Sequence, residues 1–437
     1  MSDARPDVAR ALEGLKGFQR DTVEYAFDRL YLDKDSSHRF LVADEVGLGK
    51  TLVARGVVAK TIDHLWDDIE RIDIVYICSN VNIARQNIRR LGIGADANLM
   101  KADRLTMLPA SIRDLNKHKV NFIAFTPGTS FNLRSSMGRW GERVVLYAMM
   151  QRVWHRGGVA PMNVFQGGVQ KSKWFRNCLR EFDRCNTIDR SISERFAERL
   201  RQQVRDEQAA GRPHLRKRYD DLCHRFQRIR KNIPEEDWYE RAALIGELRS
   251  LLAATCVDAL EPDLVILDEF QRFKPLLDGD DEAATLAKGL FEYQDDTTEV
   301  RILLLSATPY KMYTLHHEAH EDDHYEDFLR TVDFIEGTGR SMGQFEHLLG
   351  EYRRELYRLG NGGNVDRLCQ IKANVEAHLR KYMCRTERVR STEQHDGMLV
   401  EKLDTHTDLR KSDVKAFRFL QDIASRLDQS NVVEYWK

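Results

Sequence analysis

Asp44-Glu45-Val46-Gly47-Leu48-Gly49-Lys50-Thr51 decides how this chain is read. The octet follows a short apolar run, Phe40-Leu41-Val42-Ala43, and opens a stretch with helical spacing from Thr51 to Leu65. A glycine-bearing turn between a strand and a helix is the setting in which a chain cradles phosphate. Gly47 and Gly49 allow backbone N–H groups to wrap phosphate oxygens without side-chain clashes. The helix start adds the positive end of its dipole. In such a loop Lys50 reaches the β- and γ-phosphates and Thr51 ligates Mg²⁺. Gly47, Leu48, Gly49, Lys50 and Thr51 are the expected nucleotide contacts.

Outward from the octet, short apolar runs alternate with helical segments. Ile72 to Ile77 precedes a helical stretch from Ile83 to Leu91, and Val120 to Phe125 ends at Thr126-Pro127-Gly128. Leu264 to Leu267 and Arg301 to Leu305 follow after a long gap. This alternation predicts an α/β fold, a parallel sheet with helices on both faces. The gap, residues 134–259, is rich in Arg, Glu and Gln with apolar residues at helical spacing, and reads as a helical insertion. From residue 336 to the last residue the pattern is helical again. Asp366 to Tyr382 carries one apolar stripe and Asp413 to Leu427 is a further helix.

Leu264-Val265-Ile266-Leu267-Asp268-Glu269 is an apolar strand ending in two carboxylates. Downstream of a phosphate loop, that pair has defined chemistry. Asp268 holds Mg²⁺ through water, and Glu269 orients and deprotonates an attacking water. Lys50, Asp268 and Glu269 are therefore the catalytic candidates. Ser306-Ala307-Thr308-Pro309 closes the next strand, and its hydroxyls suit a relay between nucleotide and nucleic acid.

Composition narrows the class. Of 437 residues, 42% are hydrophobic and 31% charged, a globular balance with room for two to three domains at ~150 residues each. No run approaches the ~18 apolar residues of a spanning helix, and the first ten residues hold no signal-peptide core. Seven scattered cysteines with no C-x-x-C pair point to a reducing, cytoplasmic setting without structural zinc. Net charge is −1, but residues 134–231 hold 23 Lys and Arg against 10 Asp and Glu, a surplus of +13 that leaves −14 elsewhere. A phosphate-binding footprint and a salt-bridged helical block both account for that surplus. Arg216-Lys217-Arg218 is its densest run. Trp140, Trp154 and Trp174 flank basic residues, where stacking on bases and packing against the host are both open. His316, His320 and His324 are spaced four apart around Glu321-Asp322-Asp323, and read as a solvated acidic segment.

DEVGLGKT, LDEFQ and LLLSATP, in that order, resemble motifs I, II and III of superfamily-two helicases. The form of motif I is similar to that of the remodeller-like (Snf-type) branch of DNA translocases, bacterial ones included, where aspartate at the first loop position is normal. The resemblance implies a RecA-like P-loop lobe in two parts, residues 1–133 and 260–335, split by the basic insertion at 134–259. It also implies ATP and Mg²⁺ as ligands, ATP hydrolysis, and movement on duplex DNA in phage defence or DNA repair. Leu15-Lys16-Gly17-Phe18-Gln19 resembles the upstream glutamine motif, so Gln19 is expected to read the adenine edge. Asn80 and Gln86 resemble motif Ia, and Thr126 and Gly128 stand at the next strand-loop motif. These four, with Arg216, Lys217 and Arg218, are the expected nucleic-acid contacts. Ser306, Ala307 and Thr308 would couple hydrolysis to DNA. Lys381 to Arg388 is similar to the segment that leads towards a second motor lobe, which residues 336–437 approach. Motifs IV to VI and the arginine finger are expected in a continuing chain or a partner subunit. A nucleotide-dependent sensor without fast turnover is the alternative.

Overall fold

The computed structural model describes residues 5–91, 98–101, 104–131, 133, 137–166, 172–185, 188–229, 232–273, 276, 279, 281–294, 299–306, 324–337, 342–359 and 363–386, with single positions between 411 and 419. Chain contacts divide it into two units, Met1–Glu387 and Arg388–Lys437. In the second unit the described positions are helical and those with a burial state are exposed. The helix expected from Asp413 to Leu427 lies largely outside the described residues.

The first unit is built on a seven-stranded sheet in the order β3-β4-β2-β5-β6-β1-β7. Its strands are β1 (Arg39–Val42), β2 (Ile72–Ile77), β3 (Asn98–Lys101), β4 (Val120–Phe125), β5 (Leu264–Asp268), β6 (Arg301–Leu305) and β7 (Met383–Cys384). Every pairing is parallel. Parallel strands need helical crossovers and burial on both faces, which is why these runs are continuously apolar.

Alternate residues feed two cores. On one face Phe40, Val42, Ile74, Tyr76, Phe122, Ile266 and Leu303 pack on α2 (Gly17–Phe27), α3 (Lys50–Leu65) and α4 (Val81–Leu91). Those helices follow α1 (Val8–Leu12) and flank β1 and β2. On the other face Leu41, Val75, Ile77, Ile123, Phe125, Val265, Leu267, Ile302 and Leu304 join a larger core. Its cover comes mainly from the stretch between β4 and β5. After α5 (Ile112–Leu115) and α6 (Pro127–Ser130) come α7 (Trp140–Val153), α8 (Val159–Gln166), α9 (Ser172–Cys185), α10 (Arg190–Ala209), α11 (Leu215–Arg225) and α12 (Glu235–Leu260). The basic block is thus one covering layer of the sheet, with Phe165, Phe196, Leu222 and Leu252 in the same core as Val265.

α13 (Glu282–Phe291) lies between β5 and β6, and α14 (His324–Glu336), α15 (Met342–Leu359) and α16 (Val365–Arg380) follow β6. A small core of Phe328, Leu329, Val332 and Phe345 joins α14 and α15, with Val375 and Leu379 of α16 packed against it. The segment from Lys381, read from the sequence as leading away, first returns to the sheet. Leu41 N donates to Tyr382 O at 2.9 Å and Ala43 N to Cys384 O at 2.8 Å. A two-residue strand has too little pattern to be read in advance.

The covering layer is pinned by a buried ion pair. Arg249 of α12 is 0% exposed and donates to Glu142 Oε1 of α7 through Nε (3.1 Å) and Nη2 (2.8 Å); Glu142 is 1% exposed. Thr106 Oγ1 and the Arg139 amide also donate to the carboxylate, at 2.7 and 2.6 Å, and Arg104 Nη1 lies 3.4 Å from Oε2. The chain passes over the pair at Gly138, whose φ is +55°; a Cβ there would lie 2.3 Å from Arg249 Nε. Burial pushes the Glu142 carboxyl up, but Arg249 and these hydrogen bonds more than offset it, so the net direction is down. Its stabilising effect is full above the ordinary carboxylate range and is lost as pH falls through the depressed folded value.

Arg249→Ala leaves the buried Glu142 carboxylate with Arg104 as its only ion-pair partner among the described residues and should cost about 3 kcal/mol in urea unfolding. Glu142→Gln should flatten the acid limb of stability relative to wild type. Equal acid sensitivity in the two proteins would remove Glu142 from that role.

Candidate phosphate-binding site

The ladder sets the site. Val42 of β1 pairs with Leu305 of β6, and Leu305 pairs with Asp268 of β5. The loop after β1 and the carboxylates after β5 therefore lie at one sheet edge, two strand spacings or ~10 Å apart. Ligands of open parallel sheets bind at this carboxyl edge.

The loop presents a row of backbone donors at a helix start. Gly47 and Gly49 both have φ +84°, and Gly49 caps α3. Among the described residues the amides of Gly47, Gly49, Lys50 and Thr51 donate to no partner, a row of N–H groups at a helix start. Lys50 Nζ folds back onto the carbonyls of Asp44 (2.8 Å) and Glu45 (3.1 Å). Burial lowers its pKa, opposed by Asp44, Asp268 and Glu269.

Gln19 is 5% exposed and braces this loop. Its Nε2 donates to Leu48 O at 2.7 Å, and its Oε1 accepts from Lys16 N at 3.0 Å. Both ends of the amide are engaged by the protein, so only its second N–H and second lone pair remain for an adenine edge. A Cβ on Gly49 would meet Gln19 Nε2 at 2.6 Å, which ties glycine at that position to the brace.

Asp44 is fully buried. Its Oδ1 accepts from Thr386 N at 2.7 Å, while Oδ2 has no hydrogen bond. Burial raises its pKa against the Thr386 bonds and Lys50. Glu45 N donates to Thr386 O at 3.2 Å, so the segment after β7 runs alongside the loop. The sequence carried no signal for that pairing.

Asp268 is held from one side. Tyr76 Oη donates to its Oδ2, as does Asn87 Nδ2 at 3.0 Å, and Asn87 Nδ2 also reaches Tyr76 Oη at 3.0 Å. Burial, then the charge of Asp268, pushes the Tyr76 hydroxyl up, so it stays a donor. Oδ1 carries no partner among the described residues, nor does the Thr51 hydroxyl. Two oxygens presented this way fit a Mg²⁺ completed by phosphates and water. No three His, Cys, Asp or Glu side chains gather as a metal cage among the described residues. His316 and His320 lie outside those residues, as does the His324 side chain.

Glu269 has φ +57°, a left-handed conformation costing a non-glycine residue about 1–3 kcal/mol. Its Oε2 pairs with Arg272 Nε at 3.0 Å, and Arg272 Nη1 reaches Ser79 Oγ at 3.4 Å. Phe270 is buried in the larger core, which accounts for an apolar residue after the acidic pair. Arg272, Tyr76 and Asn87 are site residues that the sequence did not single out.

The other expected residues are spread unevenly. Ser306 is buried and its amide donates to Val42 O at 3.1 Å; Ala307 and Thr308 lie outside the described residues. Asn80, Gln86 and Gly128 are exposed near the same edge, after β2, on α4 and after β4. Thr126 requires a correction. It is buried with its hydroxyl bonded to Thr129, so its side chain is not on the surface. Arg218 requires another, since both Nη atoms are bound to Glu247 at 2.7 and 2.8 Å. Arg216 and Lys217 are exposed. No helix among the described residues is long and apolar enough to cross a membrane.

Compared with protein-family models and with curated proteins, the chain finds no match.

Gln19→Ala leaves the buried Leu48 carbonyl without its donor and should lower stability by about 1–3 kcal/mol. Gly49→Ala combines a strained φ with the clash on Gln19 and should lower it at least as much. Thermal unfolding of both variants checks this; wild-type midpoints would dismiss the brace.

Proposed function

We propose that this chain is an ATP-binding, RecA-like motor lobe of the superfamily-two, remodeller-like kind, which couples ATP hydrolysis to movement on DNA. The observation that carries the reading is the row of unpaired loop amides beside Lys50, with Asp268 and Glu269 across the same sheet edge. Lys50 exchanges two carbonyl contacts for the β- and γ-phosphates, and the amides of Gly47, Gly49, Lys50 and Thr51 take up phosphate oxygens. Thr51 and Asp268 hold Mg²⁺, which when bound neutralises charge developing on the phosphates. Tyr76 and Asn87 fix the Asp268 carboxylate so that Oδ1 faces the ligand. Glu269 takes the proton of the attacking water. DNA as partner and a second lobe in a continuing chain or another subunit belong to the same proposal, as does a role in phage defence or DNA repair.

One observation favours slow turnover by this lobe alone, as in a nucleotide-dependent sensor. The Glu269 carboxylate that would activate water is tied to Arg272. A second lobe that draws Arg272 away would release it.

Calorimetric titration with Mg·ATP tests the reading. Lys50→Ala should weaken binding at least about tenfold, or roughly 1.4 kcal/mol; equal affinity in wild type and variant would sink it. Tyr76→Phe should leave the fold intact yet raise the Mg²⁺ concentration needed for ATP binding. In single-turnover hydrolysis, Arg272→Ala should speed the reaction severalfold and Glu269→Gln abolish it. A slower Arg272→Ala would mean that arginine serves the reaction and does not restrain it.

A further inference from the structure

The positive surplus of the covering layer is not evenly spread. Residues 134–180 contain nine Lys and Arg and a single acid, Glu142, which is consumed internally by Arg249. Residues 181–231 contain fourteen Lys and Arg against nine acids, and several of the arginines there are paired. Arg190 meets Glu194, Arg195 meets Glu261, Arg218 meets Glu247 and Arg225 meets Asp237. The side chains of Arg139, Lys173 and Arg176 are exposed and make no ion pair among the described residues.

Two tryptophans stand among these unmatched cations. Trp140 opens α7 and is 47% exposed; Trp174 lies in the first turn of α9 and is 40% exposed. Their rings meet edge to face, with centroids 5.0 Å apart and planes at 70°. Each directly follows a free cation, Arg139 or Lys173. Both helices are anchored beneath, through Val144 and Phe175 in the larger core, so the rings are held by two rigid elements. Trp154, the third candidate, packs on Tyr219 at 5.0 Å and is no part of this surface.

We propose that Trp140 and Trp174, with Arg139, Lys173 and Arg176, form a platform for single-stranded nucleic acid. Indole faces accept unpaired bases of any sequence, and the cations meet the phosphates between them. A duplex keeps its bases stacked on one another and offers the indoles nothing. A second exposed aromatic pair serves as an internal contrast. Trp238 and Tyr239 sit beside Glu235, Glu236 and Glu240, whose charge repels phosphate. The platform rests on the nucleic-acid part of the function proposed above and not on its nucleotide part.

The test measures anisotropy of a labelled oligothymidine and of a duplex of equal length across a salt series, with the full chain. Trp140→Ala and Trp174→Ala should each weaken oligothymidine binding about 5- to 100-fold while keeping the salt slope. Trp174→Phe should retain most of the affinity, since the aromatic face is kept. Replacing Arg139, Lys173 and Arg176 together by alanine should flatten the slope by about 2, at ~0.7 per phosphate contact on single strands. Trp238→Ala should change nothing. The platform is overturned if the Trp140 and Trp174 variants bind oligothymidine like wild type, if Trp238→Ala loses as much, or if polyglutamate competes as well as oligothymidine. Mg·ATP binding measured on the same samples separates failure of the platform from failure of the phosphate loop.

Discussion

Three neighbouring strands, β1, β6 and β5, hold their carboxyl ends level, and the candidate site depends on that ladder. Val42, Leu305 and Asp268 are consecutive partners in register. Lys50 follows Val42 by eight residues, Glu269 directly follows Asp268, and Ser306 directly follows Leu305. A slip of one residue in β5 would turn Asp268 to the opposite face and bury Glu269 in its place. Register is protected because both faces are buried: Val265 and Leu267 point into one core, Leu264 and Ile266 into the other. The position of the candidate site's carboxylates is thus set by apolar packing on either side of the strand that carries them.

The covering layer has two tasks that pull against each other. It must bury apolar surface against the sheet, and it carries most of the chain's positive surplus. The fold separates the two along the sequence. The later helices neutralise several of their arginines with nearby glutamates and aspartates, and exposed pairs of that kind add little stability. The buried Glu142–Arg249 pair instead fixes how α7 and α12 meet. In the first helices of the layer, Arg139, Lys173 and Arg176 stay exposed and form no ion pair among the described residues.

Much of the fold was legible because long apolar runs allow few alternatives. The strand cores, the loop and the acidic pair were all read from local pattern, and α16 covers most of the apolar stripe expected from Asp366 to Tyr382. What was not legible depends on residues distant in sequence. Tyr76 and Asn87 lie 192 and 181 residues from Asp268, and their role appears only when β2, α4 and β5 are brought together. Arg218 stands in the densest basic run, yet its charge is spent on Glu247, 29 residues later. Thr126 looked like a surface loop residue and is instead folded onto its own turn. Gln19 was expected at the adenine edge; its hold on Leu48 and Lys16 was not readable from spacing.

Asp44 links the loop to the way the chain leaves the first unit. An aspartate at this position adds no phosphate contact, and its buried Oδ2 has no hydrogen bond, so phosphate binding does not explain it. Its Oδ1 explains it better, because it receives the Thr386 amide. Together with the bonds of Leu41, Ala43 and Glu45 to Tyr382, Cys384 and Thr386, this stitches residues 382–386 to β1 and the start of the loop. Lys50 hangs on the carbonyls of Asp44 and Glu45, the same two residues that hold Thr386. In the proposed function, phosphate would draw Lys50 off those carbonyls, and one of the two peptide units involved, Asp44–Glu45, is bonded to Thr386. The loop and residues 382–386 are therefore joined through two adjacent residues, Asp44 and Glu45.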